Sequence, residues 1–353
     1  MGAEPGAGGA GGAGGRGGPM GRRAGAGARG AAAGAGAGPA AGLRGGGALV
    51  AGGRAYREPF RVRSAELDPH QRLRPAALLA LMQEAAVGHV EALFGLPREG
   101  PGFPVDPLMA DLGLTYVLTK IGVRYGDACA GFGSEVAVDT WFQPLGKAGL
   151  RRDWVACDAA SGEELATATS TWVLVNLDTR RLARIPEQLM NHFEVSSPAE
   201  PRAALELPKG GAWAGASGDG VRGPGGEPGG GDPAEALSRA PQYTGPHTTA
   251  TFQHIDANRH VSNLFYMDWL LSALPEGRSE GARLVELDMD YKSEVMLGDG
   301  VRSAACESSG SRGAGDAGGR EFLHVLTERG TDKEFMRART KWVPETYACR
   351  TGA

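Results

Sequence analysis

Ten residues late in the chain, HIDANRHVSN (254–263), hold two histidines, an aspartate and two asparagines, and lead straight into the apolar run LFYMDWLL. Asp256, Asn258 and His260 alternate. In extended backbone that spacing turns three side chains to one side. An imidazole titrating near neutrality suits general acid–base work, and an aspartate beside it can fix its tautomer or orient the asparagine amide. Ser262 or Asn263 can cap the helix that follows. The helix N-terminus then offers N–H groups and a favourable dipole to a developing oxyanion. His254, two positions before the trio and with no named partner, is read as structural. Zinc needs three or four ligands at suitable spacing; Asp-x-Asn-x-His is a poor set, so no metal is expected. Glu294, in DYKSEV, is added as the carboxylate partner, because strand alternation breaks down there and a strand mouth could open onto the helix N-terminus. On residues alone two plainer readings stay open: a polar loop capping a helix, and a solvated strand-end carboxylate.

The elements that must position these groups occur twice. YREPFRVRSAELD (56–68) alternates as a strand, and LRPAALLALMQEAAVGHVEALFG (73–95) follows with Pro75 in the first turn of a helix. Leu78, Met82, Ala85, Ala86, His89 and Leu93 recur on one face of it, with His89 expected as a core histidine. Four strand-like runs then lie within 114–179, separated by turns that suit an antiparallel sheet. After 200–245, rich in Gly, Pro and Ala and expected to be a flexible linker, the pattern restarts: strand, helix 263–275, and strands within 282–344. ESSGSRGAGDAGGR (307–320) is expected as a loop insertion.

LDPHQRLRPAALLALM (67–82) overlays IDANRHVSNLFYMDWL (255–270) without a gap, placing Asp68 on Asp256 and Leu73 on Val261. TATSTWV (167–173) overlays RARTKWV (337–343), and YGDACAGFGSEV overlays YKSEVMLGDGV with one gap. Each half is therefore a long helix followed by a curved antiparallel sheet that buries it. Only one copy carries the polar set. Asn258 and His260 face His70 and Arg72, and Glu294 falls on Ala128, to within one residue.

Composition bounds the function. The net charge of −4 over 353 residues gives no basic excess for a nucleic-acid binder, and no apolar run reaches a membrane span. Cys129, Cys157, Cys306 and Cys349 have neither disulfide-framework nor zinc spacing; a reducing compartment follows, with Cys157 as a core thiol. Residues 1–54 are almost wholly Gly, Ala, Pro and Arg, with six arginines against one acid, Glu4. Such a stretch is too poor in apolar area to fold. It reads as a disordered tail, an over-extended start with Met20 as an internal alternative, or an organelle transit peptide. The absence of Ser and Thr in it departs from the transit-peptide pattern.

GKAGLRRDWVACDAASGEELATATSTWVLVNLDTRRLARIP (146–186), DANRHVSNLFYMDWLLSALP and LDMDYKSEV resemble segments of the plant and algal acyl-ACP thioesterases, which end plastid fatty-acid synthesis, and the resemblance runs over 56–347. It implies an α+β tandem hotdog fold: an N-terminal hotdog over 55–199 that binds the acyl chain and sets its length, and a catalytic one over 246–348. By position, Asp256, Asn258, His260 and Glu294 match the family's catalytic set. The family often has a cysteine directly after this glutamate; Val295 stands there, which excludes a thiol mechanism at that position. The implied activity is hydrolysis of a fatty acyl-ACP thioester in the plastid stroma, without a cofactor. The substrate is a long- or medium-chain acyl group on an acidic carrier, and a homodimer is possible. Lys147, Arg151, Arg152 and Arg184, with Arg180 and Arg181, are the expected carrier contacts, and Leu78, Met82 and Ala86 the expected acyl-tunnel lining. Two alternatives are a 3-hydroxyacyl-thioester dehydratase, separable by assaying enoyl product against free acid, and a non-catalytic acyl-binding module. The module would have lost Asn258, His260 or Glu294, and all three are present.

Overall fold

In a computed structural model of the chain, the residues described are 46–95, 106–216, 221, 232–256, 259–275, 281–308, 319–331 and 333–345. The expectations for residues 1–45, for Asn258 and for most of the 307–320 insertion lie outside them.

The first half runs β1 (Ala48–Val50), β2 (Ala55–Arg61), α1 (Pro75–Phe94), α2 (Pro107–Asp111), β3 (Leu114–Tyr125), β4 (Glu135–Leu145), β5 (Gly149–Asp158), β6 (Glu164–Asn176) and α3 (Glu187–Ser196). After α4 (Pro233–Arg239), the second half runs β7 (Tyr243–Thr244), β8 (Thr248–Thr249), α5 (Asn263–Leu271), β9 (Ala282–Tyr291), β10 (Gly300–Glu307), β11 (Arg320–Glu328) and β12 (Glu334–Pro344). The folded first half starts at β1, which pairs with β2, ahead of the expected boundary at residue 55.

The twelve strands of the described residues form one antiparallel sheet in the order β1-β2-β4-β5-β6-β3-β9-β12-β11-β10-β7, with β8 also on β10. Each half is the same meander, and the two meet edge to edge where β3 pairs with β9, from Lys120↔Asp290 to Arg124↔Glu286. Open edges invite pairing, and here each half covers one edge of the other.

Against the expectation that no run reaches a membrane span, α1 is long and apolar enough to cross one. It is instead a core helix. Leu78, Leu79, Leu81, Met82, Ala85 and His89 are buried, and Trp154 Nε1 donates to the Met82 carbonyl at 2.7 Å. Gly88 permits the close packing of α1 on β2, since a Cβ there would lie 2.7 Å from Tyr56 Oη. α5 buries Tyr266, Met267, Trp269 and Leu270 in the same cluster as Leu78 and Met82. The two helices therefore share one continuous core. This is the tandem hotdog arrangement.

The stretch read as a flexible linker is, in its described parts, an anchored strap. Ala204 N donates to Asp153 Oδ1 at 2.9 Å, Ala212 N to Asp290 Oδ2 at 3.1 Å, and Trp213 Nε1 to the Ala338 carbonyl at 2.8 Å. Trp213, Ala234 and Leu237 pack with Leu323 and Val325 in a second apolar cluster. Its Gly/Pro/Ala composition hid a single tryptophan that supplies an apolar anchor.

Candidate active site

A short 3-10 turn, Phe252–His254, precedes the polar loop. His254 closes it: Thr251 N donates to His254 Nδ1 at 2.9 Å, and the ring lies edge-on to Phe265 and Trp269 at 4.8 and 5.2 Å. It is a capping and packing residue. The chain then folds back on itself. Ile255 bridges Val261, Asp256 N donates to the His260 carbonyl at 2.9 Å, and Arg259 N donates to the Asp256 carbonyl at 3.0 Å. Arg259 takes a left-handed φ of 66° to make this turn. Ser262 occupies the N-cap position of α5 without a side-chain hydrogen bond to the helix.

Glu294 lies just past the end of β9. Its neighbour Val295 is tied twice to the loop and its helix, with the Val295 carbonyl accepting from Val261 N at 3.2 Å and Val295 N donating to Tyr266 Oη at 3.0 Å. This brings Glu294 Oε2 to 3.6 Å from His260 Nε2, with both side chains about one-third exposed (31%). Arg180 Nη2, from the turn after β6, donates to the same Oε2 at 2.7 Å. Burial pushes the Tyr266 phenol up to about 12, and the carboxylates of Glu294, Asp299 and Asp256 push the same way. Tyr266 is absent from the sequence reading, and Arg180 enters it only as an expected carrier contact. A hydroxyl on the buried face of an otherwise apolar helix was the available signal for Tyr266. Nothing local marked Arg180 as a partner of Glu294, because that contact depends on how the halves meet.

Backbone hydrogen bonds document the repeat and correct it by one residue. Asp68 N→Arg72 O (2.7 Å), Gln71 N→Asp68 O (3.0 Å) and Arg74 N→Glu66 O (2.8 Å) match Asp256 N→His260 O, Arg259 N→Asp256 O and Ser262 N→His254 O. Gln71 has φ 65°, matching Arg259. Leu73 N→Ala130 O (2.8 Å) matches Val261 N→Val295 O, so Glu294 corresponds to Cys129, not Ala128. The first-half loop thus presents Arg72, Cys129 and Leu78 where the second presents His260, Glu294 and Tyr266. Arg72 is held by Asp68 at 2.8 Å and by Glu345. Cys129 is disulfide-bonded, against the expectation of reduced cysteines; spacing in sequence does not measure distance in the fold. Cys157 is a half-buried thiol on β5, and the fully buried cysteine is Cys306.

Of the expected carrier contacts, Arg151 and Arg152 do not form a cationic patch. Consecutive strand residues point to opposite faces. Arg152 turns inward, buried against His89 Nδ1 (3.3 Å), Thr140 Oγ1 (3.2 Å) and the Phe142 ring. Arg151 turns to the other face, where buried Asp153 (3.0 Å) and the strap carbonyl of Leu205 hold it. Lys147, Arg180, Arg181 and Arg184 are exposed, and the Ile185 N→Lys147 O bond sets the β4–β5 turn beside the segment after β6. Leu78 and Met82 are buried and Ala86 packs against the same core. Among the described residues, no three His, Cys, Asp or Glu side chains converge as metal ligands.

The geometry can be set beside known proteins. Residues 53–193 match the acyl-ACP thioesterase N-terminal domain, and 239–344 match the acyl-ACP thioesterase C-terminal domain. The chain is 30% identical over 310 residues to oleoyl-acyl carrier protein thioesterase 1, chloroplastic, of Arabidopsis thaliana, covering 84% of this chain and 78% of that one. It is 29% identical over 308 residues to the palmitoyl-acyl carrier protein thioesterase, chloroplastic, of the same plant, covering 85% and 66%. Among solved structures it is similar to the 12:0-ACP thioesterase from Umbellularia californica, with a TM-score of 0.67 and 26% identity over 83% of this chain and 95% of that one.

Proposed function

The chain belongs to the acyl-ACP thioesterase family, and from that premise we propose that Asp256, Asn258, His260 and Glu294 carry out its hydrolysis. The protein is a thioester hydrolase acting on fatty acyl-ACP. Water, deprotonated by the Glu294–His260 pair, adds to the thioester carbonyl. The tetrahedral oxyanion then collapses, expels the carrier's thiolate and leaves the free fatty acid, while the proton taken from water goes to the departing sulfur. Backbone N–H groups at the start of α5, with the Asn258 amide, stabilise the oxyanion, and Asp256 holds the loop that carries His260. Direct attack by Glu294 would instead expel the carrier's thiolate to give a mixed anhydride, which water opens to the free acid and the restored carboxylate, its proton going to the sulfur.

The observation that carries this reading is the approach of Glu294 Oε2 to His260 Nε2 at 3.6 Å in front of α5, in the one copy of the loop that has both groups. Glu294→Gln keeps the shape and removes the base or nucleophile. Turnover of acyl-ACP should fall by at least ~10²-fold with an unchanged circular dichroism spectrum; hydrolysis near the wild-type rate refutes the assignment.

The substrate is an acyl group on an acyl carrier protein. On our reading, Lys147 and Arg184, with Arg181, meet the acidic carrier, and the apolar α1 face with Leu78, Met82 and Ala86 lines the acyl site and sets chain length. Mass spectrometry of fatty acids released from a panel of acyl-ACPs reads that preference directly. The curated relatives are named chloroplastic, which supports a plastid location; the stroma is the compartment we propose, and the acid-poor, arginine-bearing leader suits a transit peptide. Both halves that build the site lie in one chain, so a homodimer would be an association of two complete sites.

A further inference from the structure

The turn after β6 is a rigid mount. Thr179 N and Oγ1 donate to Asn176 Oδ1 at 2.8 and 2.9 Å, Arg180 N to the Asn176 carbonyl at 2.9 Å, and Leu177 N to the Gly113 carbonyl at 2.9 Å. The returning chain bridges Val175 through Leu182. Arg180 itself sits at φ 55°, a conformation a non-glycine residue keeps only when its surroundings enforce it.

Topology aims this mount at the other half. Asn176 lies opposite Leu114 at the start of β3, and the last residues of β9 lie along the same strand, with Asp290 opposite Lys120. The ends of β6 and β9 therefore emerge at one end of the sheet, and Arg180 Nη2 reaches Glu294 Oε2 across the seam. The reverse crossing also exists: Glu345, just after β12, pairs with Arg72 in the first-half loop. Each half thus sends a charged side chain from beyond its last strand to the other half's loop, and only one of these meets a carboxylate facing a histidine.

We propose that Arg180, supplied by the half without the polar set, is a positioning residue for Glu294, fixing the carboxylate through Oε2 so that it stays aimed at His260 and the reacting water. This rests on Glu294 being the catalytic carboxylate. A small misplacement of such a group costs rate, not binding. Arg180 is 59% exposed, and an ion pair so exposed adds little to stability, so its removal leaves the fold intact.

The test uses Arg180→Gln and Arg180→Lys in the full chain, on acyl-ACP and on the carrier-free thioester acyl-pantetheine. Arg180→Gln should lower kcat by about 10- to 100-fold on both substrates, with the KM for acyl-ACP changed by less than about threefold, and Arg180→Lys should recover part of kcat. A defect confined to KM, or one that vanishes on acyl-pantetheine, makes Arg180 a carrier contact and overturns the proposal. Unchanged kinetics make the pair incidental and overturn it equally. Failure of the underlying reading is separately visible, as wild-type protein that releases no fatty acid from acyl-ACP or as an active Glu294→Gln variant.

Discussion

His254 and His260 lie six positions apart, and the two imidazoles differ in what they can do. His254 is consumed by its local fold, with Nδ1 on Thr251 N and the ring against Phe265 and Trp269. In the first half Glu66 does the same job, accepting from Arg63 N at 2.7 Å. His260 points its Nε2 at Glu294 instead. His254→Ala should therefore cost about 1 kcal/mol of stability and leave kcat within a few-fold of wild type. His260→Gln should lose about 10²–10⁴-fold in kcat with little change in the urea midpoint. Parallel kinetics and denaturation on the two variants decide it, and swapped phenotypes reverse the roles. Alternation alone could not make this distinction, because His254 shares the register of Asp256, Asn258 and His260; only its lack of a named partner set it aside. Arg180 was legible as a surface cation but not as a partner of Glu294, and Tyr266 was marked only by its hydroxyl. Arg180 acts across a seam that no local pattern announces, and Tyr266 contributes through a backbone amide, which has no letter in the sequence.

Strand β5 shows how an element can overrule a composition. A run of positive charge in GLRRD looked like a docking patch, yet pleating splits Arg151 from Arg152. The signal against that expectation was already present, since neighbouring residues of a strand cannot share a face. Arg151 instead braces buried Asp153, which also takes Thr169 Oγ1 at 2.6 Å and Ala204 N. Arg151→Leu leaves that carboxylate without its cation and should cost ~3 kcal/mol, read as a lower unfolding midpoint, while the KM for acyl-ACP stays unchanged. A KM increase without loss of stability would restore Arg151 to the carrier surface. The strap was illegible for the opposite reason: its few anchors, Ala204, Ala212 and Trp213, are dispersed through residues that favour no element. The helix-plus-sheet order of each half was legible because apolar periodicity and turn residues agreed along the chain.

At the scale of the whole molecule, the two halves share one core and each encloses a histidine held neutral. Burial pulls His89 down to about 2, with the charge of Arg152 adding to the effect, and burial pulls His324 down to about 3. Both values lie below the ordinary 6.5, so the unfolded chain binds protons that the folded chain refuses. The stability they permit is complete above pH 6.5. It falls as pH drops below that value, by up to about 1.4 kcal/mol per pH unit for each histidine, and goes on falling until the folded values are reached. Urea unfolding at pH 7.5 and 5.5 should show this loss, and His324→Gln, which can keep a hydrogen bond to Thr340 Oγ1, should remove one histidine's share. Identical pH dependence in variant and wild type would remove His324 from the account.

The β3–β9 seam has one more consequence, which concerns symmetry. Two identical chains meeting edge to edge about a two-fold axis must present the same side chain at both equivalent positions. Whatever serves one loop is then imposed on the other. Covalent fusion lifts that constraint. Arg72 occurs once and His260 once, at backbone positions matched hydrogen bond for hydrogen bond. On the site assignment proposed above, the molecule is a pseudo-dimer with one working centre, and the loop of its other half is free to carry residues that would be lethal to catalysis in its twin.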